Sequence, residues 1–185
     1  MKVTEKELSA SLKNKEYPRD EEGNIILTLN VKDDSDFLSK FSVTETPVIS
    51  GEVTEFLESS TRSINPNEQF TLQVKGDCID KTEQEVYRLA INEYYTEQYF
   101  ANEREYKIKN RIALFLALLG VLVLGFAVFL ELKFESIVWA EVVDIAAWVL
   151  LWEAVDIKFF RARESKIKKK RYLAFINMKV TYIEK

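Results

Sequence analysis

Ile112–Leu130 reads IALFLALLGVLVLGFAVFL, 19 residues without a charge. At roughly 1.5 Å per residue a helix of this length extends about 28 Å, close to the hydrocarbon thickness of a bilayer. A buried helix of such length and purity is rare in soluble proteins. The run lies far from the N-terminus and lacks a leader's cleavage pattern, so it reads as a transmembrane helix.

A second apolar run follows the break at 131–136. Ile137–Ile157, IVWAEVVDIAAWVLLWEAVDI, is apolar except for Glu141, Asp144, Glu153 and Asp156. Taken alone it could lie in the membrane interface, but its flanks argue for crossing. Arg104, Lys107, Lys109 and Arg111 precede the first run, and Lys158, Arg161, Arg163, Lys166, Lys168, Lys169, Lys170 and Arg171 follow the second. Between the runs stands only Lys133, against Glu131 and Glu135. Cations on both outer flanks and few between them predict a two-helix transmembrane hairpin with both termini cytoplasmic, placed in a plasma (inner) membrane. Trp139 at one boundary, and Phe159 and Phe160 at the other, suit interfacial anchors.

The rest of the chain divides by charge. Residues 1–103 carry 11 Lys/Arg against 21 Asp/Glu, whereas 104–185 carry 15 against 9. Within the acidic half, Thr4 and Glu7 form a capping box ahead of Leu8 and Leu12. Ile25, Leu27, Leu29 and Val31 alternate as a half-buried strand, and Phe70, Leu72 and Val74 as a second. Ser50 suits the N-cap of a helix reaching about Ser63, with Val53, Phe56 and Leu57 turned inward. Asp80 with Glu83 opens a long helix that meets neither Gly nor Pro before Arg111. Met178, Val180 and Tyr182 alternate in a third strand, whose natural place is beside the other two; a frayed tail is the alternative.

The expected fold class is therefore α+β: a small cytosolic α/β layer joined to a two-helix transmembrane hairpin, with long helices continuous with the spans. Its segments are an acidic domain (1–80), a stalk helix (81–111), a first span (112–130), an outer loop (131–136), a second span (137–157), a basic helix (158–176) and a terminal strand (177–185). On the stalk, Tyr87, Ile91, Tyr94, Tyr95 and Tyr99 form an aromatic stripe. It reads either as packing inside the chain or as an oligomer seam resembling a coiled-coil stalk.

At 100° per residue, Glu141, Asp144, Trp148, Trp152 and Asp156 share one face of the second run. A carboxylate in hydrocarbon costs several kcal/mol unless it meets water, a partner or protein interior. Glu141, Asp144 and Asp156 are thus candidate pore or helix-packing acids. Alternatively, Glu141 and Asp144 lie near enough to the outer helix end to reach interfacial water, and Glu153 and Asp156 lie equally near the inner end, where Lys158 and Arg161 can pair with them. The plan of stalk, span, tight loop, acidic span and charged helix is similar to that of the mitochondrial calcium uniporter pore subunits. Trp139, Glu141 and Asp144 resemble the Trp, Asp and Glu of their pore signature, although here the acids come in the opposite order and the signature's proline is missing. The resemblance is one of layout and implies cation conduction through an oligomer. On the first run Ala113, Ala117 and Gly125, with Gly120 nearby, offer a face for close helix approach.

Arg161, Arg163, Lys166, Lys168, Lys169, Lys170 and Arg171 are candidate contacts for anionic lipid head groups, each worth about 1 kcal/mol near a charged surface. Nucleic acid is not an expected partner, because the acidic half would repel phosphate. The absence of histidine excludes Ser-His-Asp and Cys-His catalysis and imidazole ligands. Cys78, the only cysteine, excludes an intrachain disulfide, and Asp77 and Asp80 beside it disfavour a thiolate. Asp33, Asp34 and Asp36 lack the spacing and glycine of an EF-hand. No Gly-rich phosphate loop or nucleophile elbow is present, and no cofactor is expected. The expectation is a non-enzymatic, two-pass membrane protein. It presents a cytosolic scaffold domain to an unidentified protein partner and self-associates as a homo-oligomer. The alternative is a homo-oligomeric cation pore.

Overall fold

The computed structural model describes residues 16–43, 46–76, 79–134 and 137–183. The capping box at Thr4 and the cysteine at Cys78 lie outside them. The elements in chain order are β1 (Ile25–Asn30), α1 (Asp34–Phe37), α2 (Gly51–Thr61), β2 (Phe70–Lys75), α3 (Lys81–Phe134), α4 (Ile137–Val155), a π-helix (Asp156–Arg161), α5 (Ala162–Ile176) and β3 (Lys179–Ile183). Two compact units emerge: residues up to Gln98 together with those from Lys170, and Tyr99–Lys169.

The first unit is built on a three-stranded parallel sheet in the order β1-β2-β3. Ile25 pairs with Phe70, Leu27 with Leu72, and Leu29 with Val74; Leu72 and Val74 in turn pair with Val180 and Tyr182. The period-2 alternation of the strands therefore lays all these apolar side chains on one face. Over it pack Val53 and Leu57 of α2, Tyr87, Ile91 and Tyr95 of α3, and Ala174 and Phe175 of α5, in one core with Phe37, Ile49, Ile64 and Met178. The other face turns Thr28, Gln73 and Thr181 away from that core. Parallel neighbours need long crossovers. Here the first carries α1 and α2, and the second runs from Gly76 to Met178 and holds every remaining helix.

Local signals fix the helix starts. The Val53 N–H donates to Ser50 Oγ at 3.3 Å. At α3 both halves of the capping box form: Glu83 N donates to Asp80 Oδ1 at 2.8 Å, and Asp80 N to Glu83 Oε2 at 2.7 Å.

In the second unit the last part of α3 lies antiparallel to α4, the π-helix and the start of α5. The pairings Asn102–Ser165, Asn110–Lys158 and Gly120–Leu151 step in opposite directions along the chain. Along the apolar part, buried small residues recur every seven positions: Ala113, Gly120 and Ala127 on α3, Ala147 and Ala154 on α4. Small residues let two backbones approach closely. Large apolar side chains surround this seam and stay exposed, among them Phe115, Leu118, Leu122 (71%), Trp148 (62%) and Trp152 (69%).

The expected fold class needs correcting. In place of an α/β layer on a two-span hairpin, the chain has a small parallel sheet, its helices, and one long apolar helix. Among the described residues α3 alone is long and apolar enough to cross a membrane. α4 has 19 residues but carries Glu141, Asp144 and Glu153, and that acid load is what keeps it from qualifying. Its position follows from contact with α3 along the small-residue seam. The seam also differs from the face expected for α3: it centres on Ala113, Gly120 and Ala127, whereas a side chain on Gly125 would meet open space.

Candidate interaction surfaces

The tyrosine stripe is built into the first unit. The Tyr87 ring stacks on Phe37, with centroids 4.1 Å apart, and Tyr95 stacks on Phe175 at 4.4 Å. Ile91 is buried beside them, while Tyr94 meets Tyr95 edge-on and is half-buried. Burial pushes the Tyr95 phenol well above its ordinary range, and its hydroxyl has no hydrogen-bond partner among the described residues. Tyr99, in the second unit, receives the Lys169 ammonium over its ring at 5.0 Å. Most of the surface this stripe offered for an oligomer seam is thus used within one chain.

The four acids of the second apolar run divide into two pairs. Arg161 reaches back to Glu153 at 3.2 Å and to Asp156 at 2.9 Å. The π-helix makes this geometry, because its wider turn brings side chains five apart into register. Asp156, a candidate pore or helix-packing acid, is paired with Arg161, as the reading that set Lys158 and Arg161 beside Glu153 and Asp156 allowed. Glu141 and Asp144 have no ion pair among the described residues. Glu141 is exposed, Asp144 is half-buried, and the tryptophans that share their face point outward.

The π-helix has a second effect. From Ala147 to Ala154 the face toward α3 repeats every seven residues, and a further step of seven would place Arg161 and then Lys168 there. Ser165 continues the series Leu151 and Lys158, with Asn102 donating to its carbonyl oxygen at 3.1 Å, whereas Lys169, one residue past Lys168, lies against Glu103 at 3.5 Å. The one extra residue of Asp156–Arg161 matches the step from Lys168 to Lys169. Periodicity alone did not reveal it.

The basic run divides in the same manner. Lys168 pairs with Glu164 at 3.0 Å, Lys169 with Glu103, Lys170 with the Asn67 amide oxygen at 2.8 Å, and Arg171 with the Arg62 carbonyl at 3.5 Å. Arg161 is held by the two acids. Arg163 and Lys166 are exposed and engage nothing among the described residues. Of the seven expected lipid contacts, five therefore already have partners within the chain.

Two further surfaces belong to the first unit. A groove of about 350 Å³ between α3 and β3 is lined by Arg88, Leu89, Asn92, Met178 and Val180. Beside β1, Asp20 accepts from Thr71 Oγ1 at 2.6 Å, from Asn24 Nδ2 at 3.0 Å, and from the backbone N–H groups of Asn24 and Glu22. The Thr71 hydroxyl above all, with the Asn24 donors, lowers its carboxyl to about 2. Such a saturated carboxylate is a structural clasp that ties the turn at Gly23 (φ +85°) to β2. Among the described residues no group of acids or thiols is placed to hold a metal ion.

No family model, curated protein or solved structure matches this chain.

Proposed function

We propose that this chain is a membrane-anchored interaction module: a non-enzymatic, self-associating scaffold that presents its sheet-bearing unit at the cytoplasmic face of a membrane. The observation that carries the reading is α3. It begins in the sheet's core and ends in a 19-residue uncharged run whose large side chains are exposed. Exposed apolar surface on this scale suits lipid rather than water. Arg104, Lys107, Lys109 and Arg111 just before that run favour a cytoplasmic position for the preceding unit.

Self-association draws support from Glu141 and Asp144, two carboxylates without cation partners among the described residues, on a helix surface otherwise rich in tryptophan and aliphatic side chains. A second copy would shield them. The groove beside β3 is the surface proposed for a protein partner.

The decisive experiment expresses the full chain and fractionates it. Membrane association resisting high salt and alkaline carbonate, with an oligomer in mild detergent, is expected. A chain soluble without detergent would overturn the anchor, and a detergent monomer would overturn self-association. Ion flux into vesicles that disappears with Glu141→Gln and Asp144→Asn would replace the scaffold with a cation pore.

A further inference from the structure

We infer that four unengaged cations at the base of the apolar surface, Arg104, Arg111, Arg163 and Lys166, form a collar that binds the head groups of anionic phospholipids. The inference rests on the membrane-anchor reading above. All four are exposed, and none makes a hydrogen bond, ion pair or ring contact among the described residues. Their neighbours differ: Lys107 pairs with Glu103 at 3.8 Å, Lys109 with Glu105 at 2.6 Å, and Lys158 with the Asn110 amide oxygen.

Their placement suits a head-group layer. Asn102–Ser165 and Asn110–Lys158 set the level of one helix against the other. By that measure Arg104 stands level with Arg163, each two residues from the Asn102–Ser165 pair. Two residues turn a side chain about 200° around its helix, so both point away from the contact between α3 and α5. Arg111 directly precedes the apolar run, and Arg104, seven residues earlier, shares its face roughly 10 Å below. That depth is close to a Debye length at physiological salt, where a charged surface still attracts cations; Lys166, one residue past Ser165, stands about 5 Å deeper and reaches back along its long side chain. Phe159 and Phe160 of the π-helix are exposed at the same boundary, as interfacial aromatic side chains are. A cation already paired must give up its partner to bind lipid, so the engaged lysines gain less from an anionic surface than these four.

The test uses the full chain purified in a neutral detergent and titrated with phosphatidylglycerol, phosphatidylcholine or inorganic phosphate, reading the thermal unfolding midpoint. Phosphatidylglycerol should raise the midpoint, and the other two should not. Combining R104Q, R111Q, R163Q and K166Q should abolish the difference, each change alone weakening half-maximal binding about fivefold. Combining K168Q, K170Q and R171Q should leave it in place. An unchanged response in the first variant, or its loss in the second, overturns the collar. Equal shifts with inorganic phosphate would assign the site to free anions and overturn the lipid. Should the first variant not fold, single-substitution titrations decide on the same criterion. A chain soluble without detergent sinks the anchor, whereas a detergent-requiring chain indifferent to phosphatidylglycerol sinks the collar alone.

Discussion

Gly120 packs against Leu151 so closely that a Cβ on the glycine would fall 2.8 Å from Leu151 Cγ and 3.3 Å from its backbone nitrogen. The flexible end of the leucine can yield, but its backbone cannot without α3 and α4 moving apart. Gly120→Ala should therefore destabilise the second unit. Overpacking of about 1–3 kcal/mol outweighs the roughly 1 kcal/mol that alanine gains in helix propensity. Gly125→Ala, with open space around it, should be neutral or stabilising. Thermal midpoints in one detergent compare the two, and equal effects would refute the contact.

The π-helix carries one residue more than an α-helical path needs. Deleting Phe160 should let Asp156–Arg161 relax to α-helix while Ser165, Lys169 and Phe175 keep their facing. Deleting Lys168 has no such slack to absorb it. Everything after would turn by about 100° and take Phe175 out of the core. Circular dichroism and protease resistance should show the first variant folded and the second not.

Residues 1–103 alone lack Ala174, Phe175, Met178 and β3, all part of the first unit's core or sheet. That fragment should not fold. Residues 1–98 joined to 170–185 by a short glycine-rich linker should fold and stay soluble without detergent. Equal protection of amide hydrogens in both fragments would contradict the sheet order.

Acid should loosen the clasp at Asp20. Its carboxyl is held at about 2, below the unfolded value of about 3.9, so the stabilisation is present above pH 4 and is lost as pH falls through 2. Thr71→Val removes the strongest donor and should raise that carboxyl, moving acid unfolding to higher pH. An acid midpoint identical to that of the parent chain would refute the coupling.

The Tyr95 hydroxyl is buried without a partner among the described residues. Tyr95→Phe should be neutral or stabilise by up to about 1 kcal/mol, because it removes an unsatisfied polar group and keeps the ring on Phe175. Tyr95→Ala should cost about 3–5 kcal/mol. Marked destabilisation by the phenylalanine variant would reveal a bonded hydroxyl.

What could be read from the sequence was local. The alternation at Ile25–Val31 and Phe70–Val74, the Ser50 cap and the Asp80–Glu83 box act over a few residues, and the corresponding elements lie where those patterns stand. Sheet order and parallel pairing depend on contacts far apart in sequence, such as Leu72 with Val180. The Ile137–Ile157 run misled because length and flanking cations outweighed three acids inside one short helix. Partners of Lys168, Lys169, Lys170 and Arg171 were hidden because like residues in a row end against different neighbours once the helix has a facing. The π-helix was hidden for the same reason, since an inserted residue shows only against a partner.

β3 is encoded downstream of everything between Gly76 and Met178. On the proposed membrane anchoring, Ile112–Leu130 leaves the ribosome while one edge of β2 still presents unpaired backbone N–H and C=O groups. On that reading insertion precedes completion of the sheet, and nascent chains stalled in between are the ones that chaperones and proteases would be able to recognise.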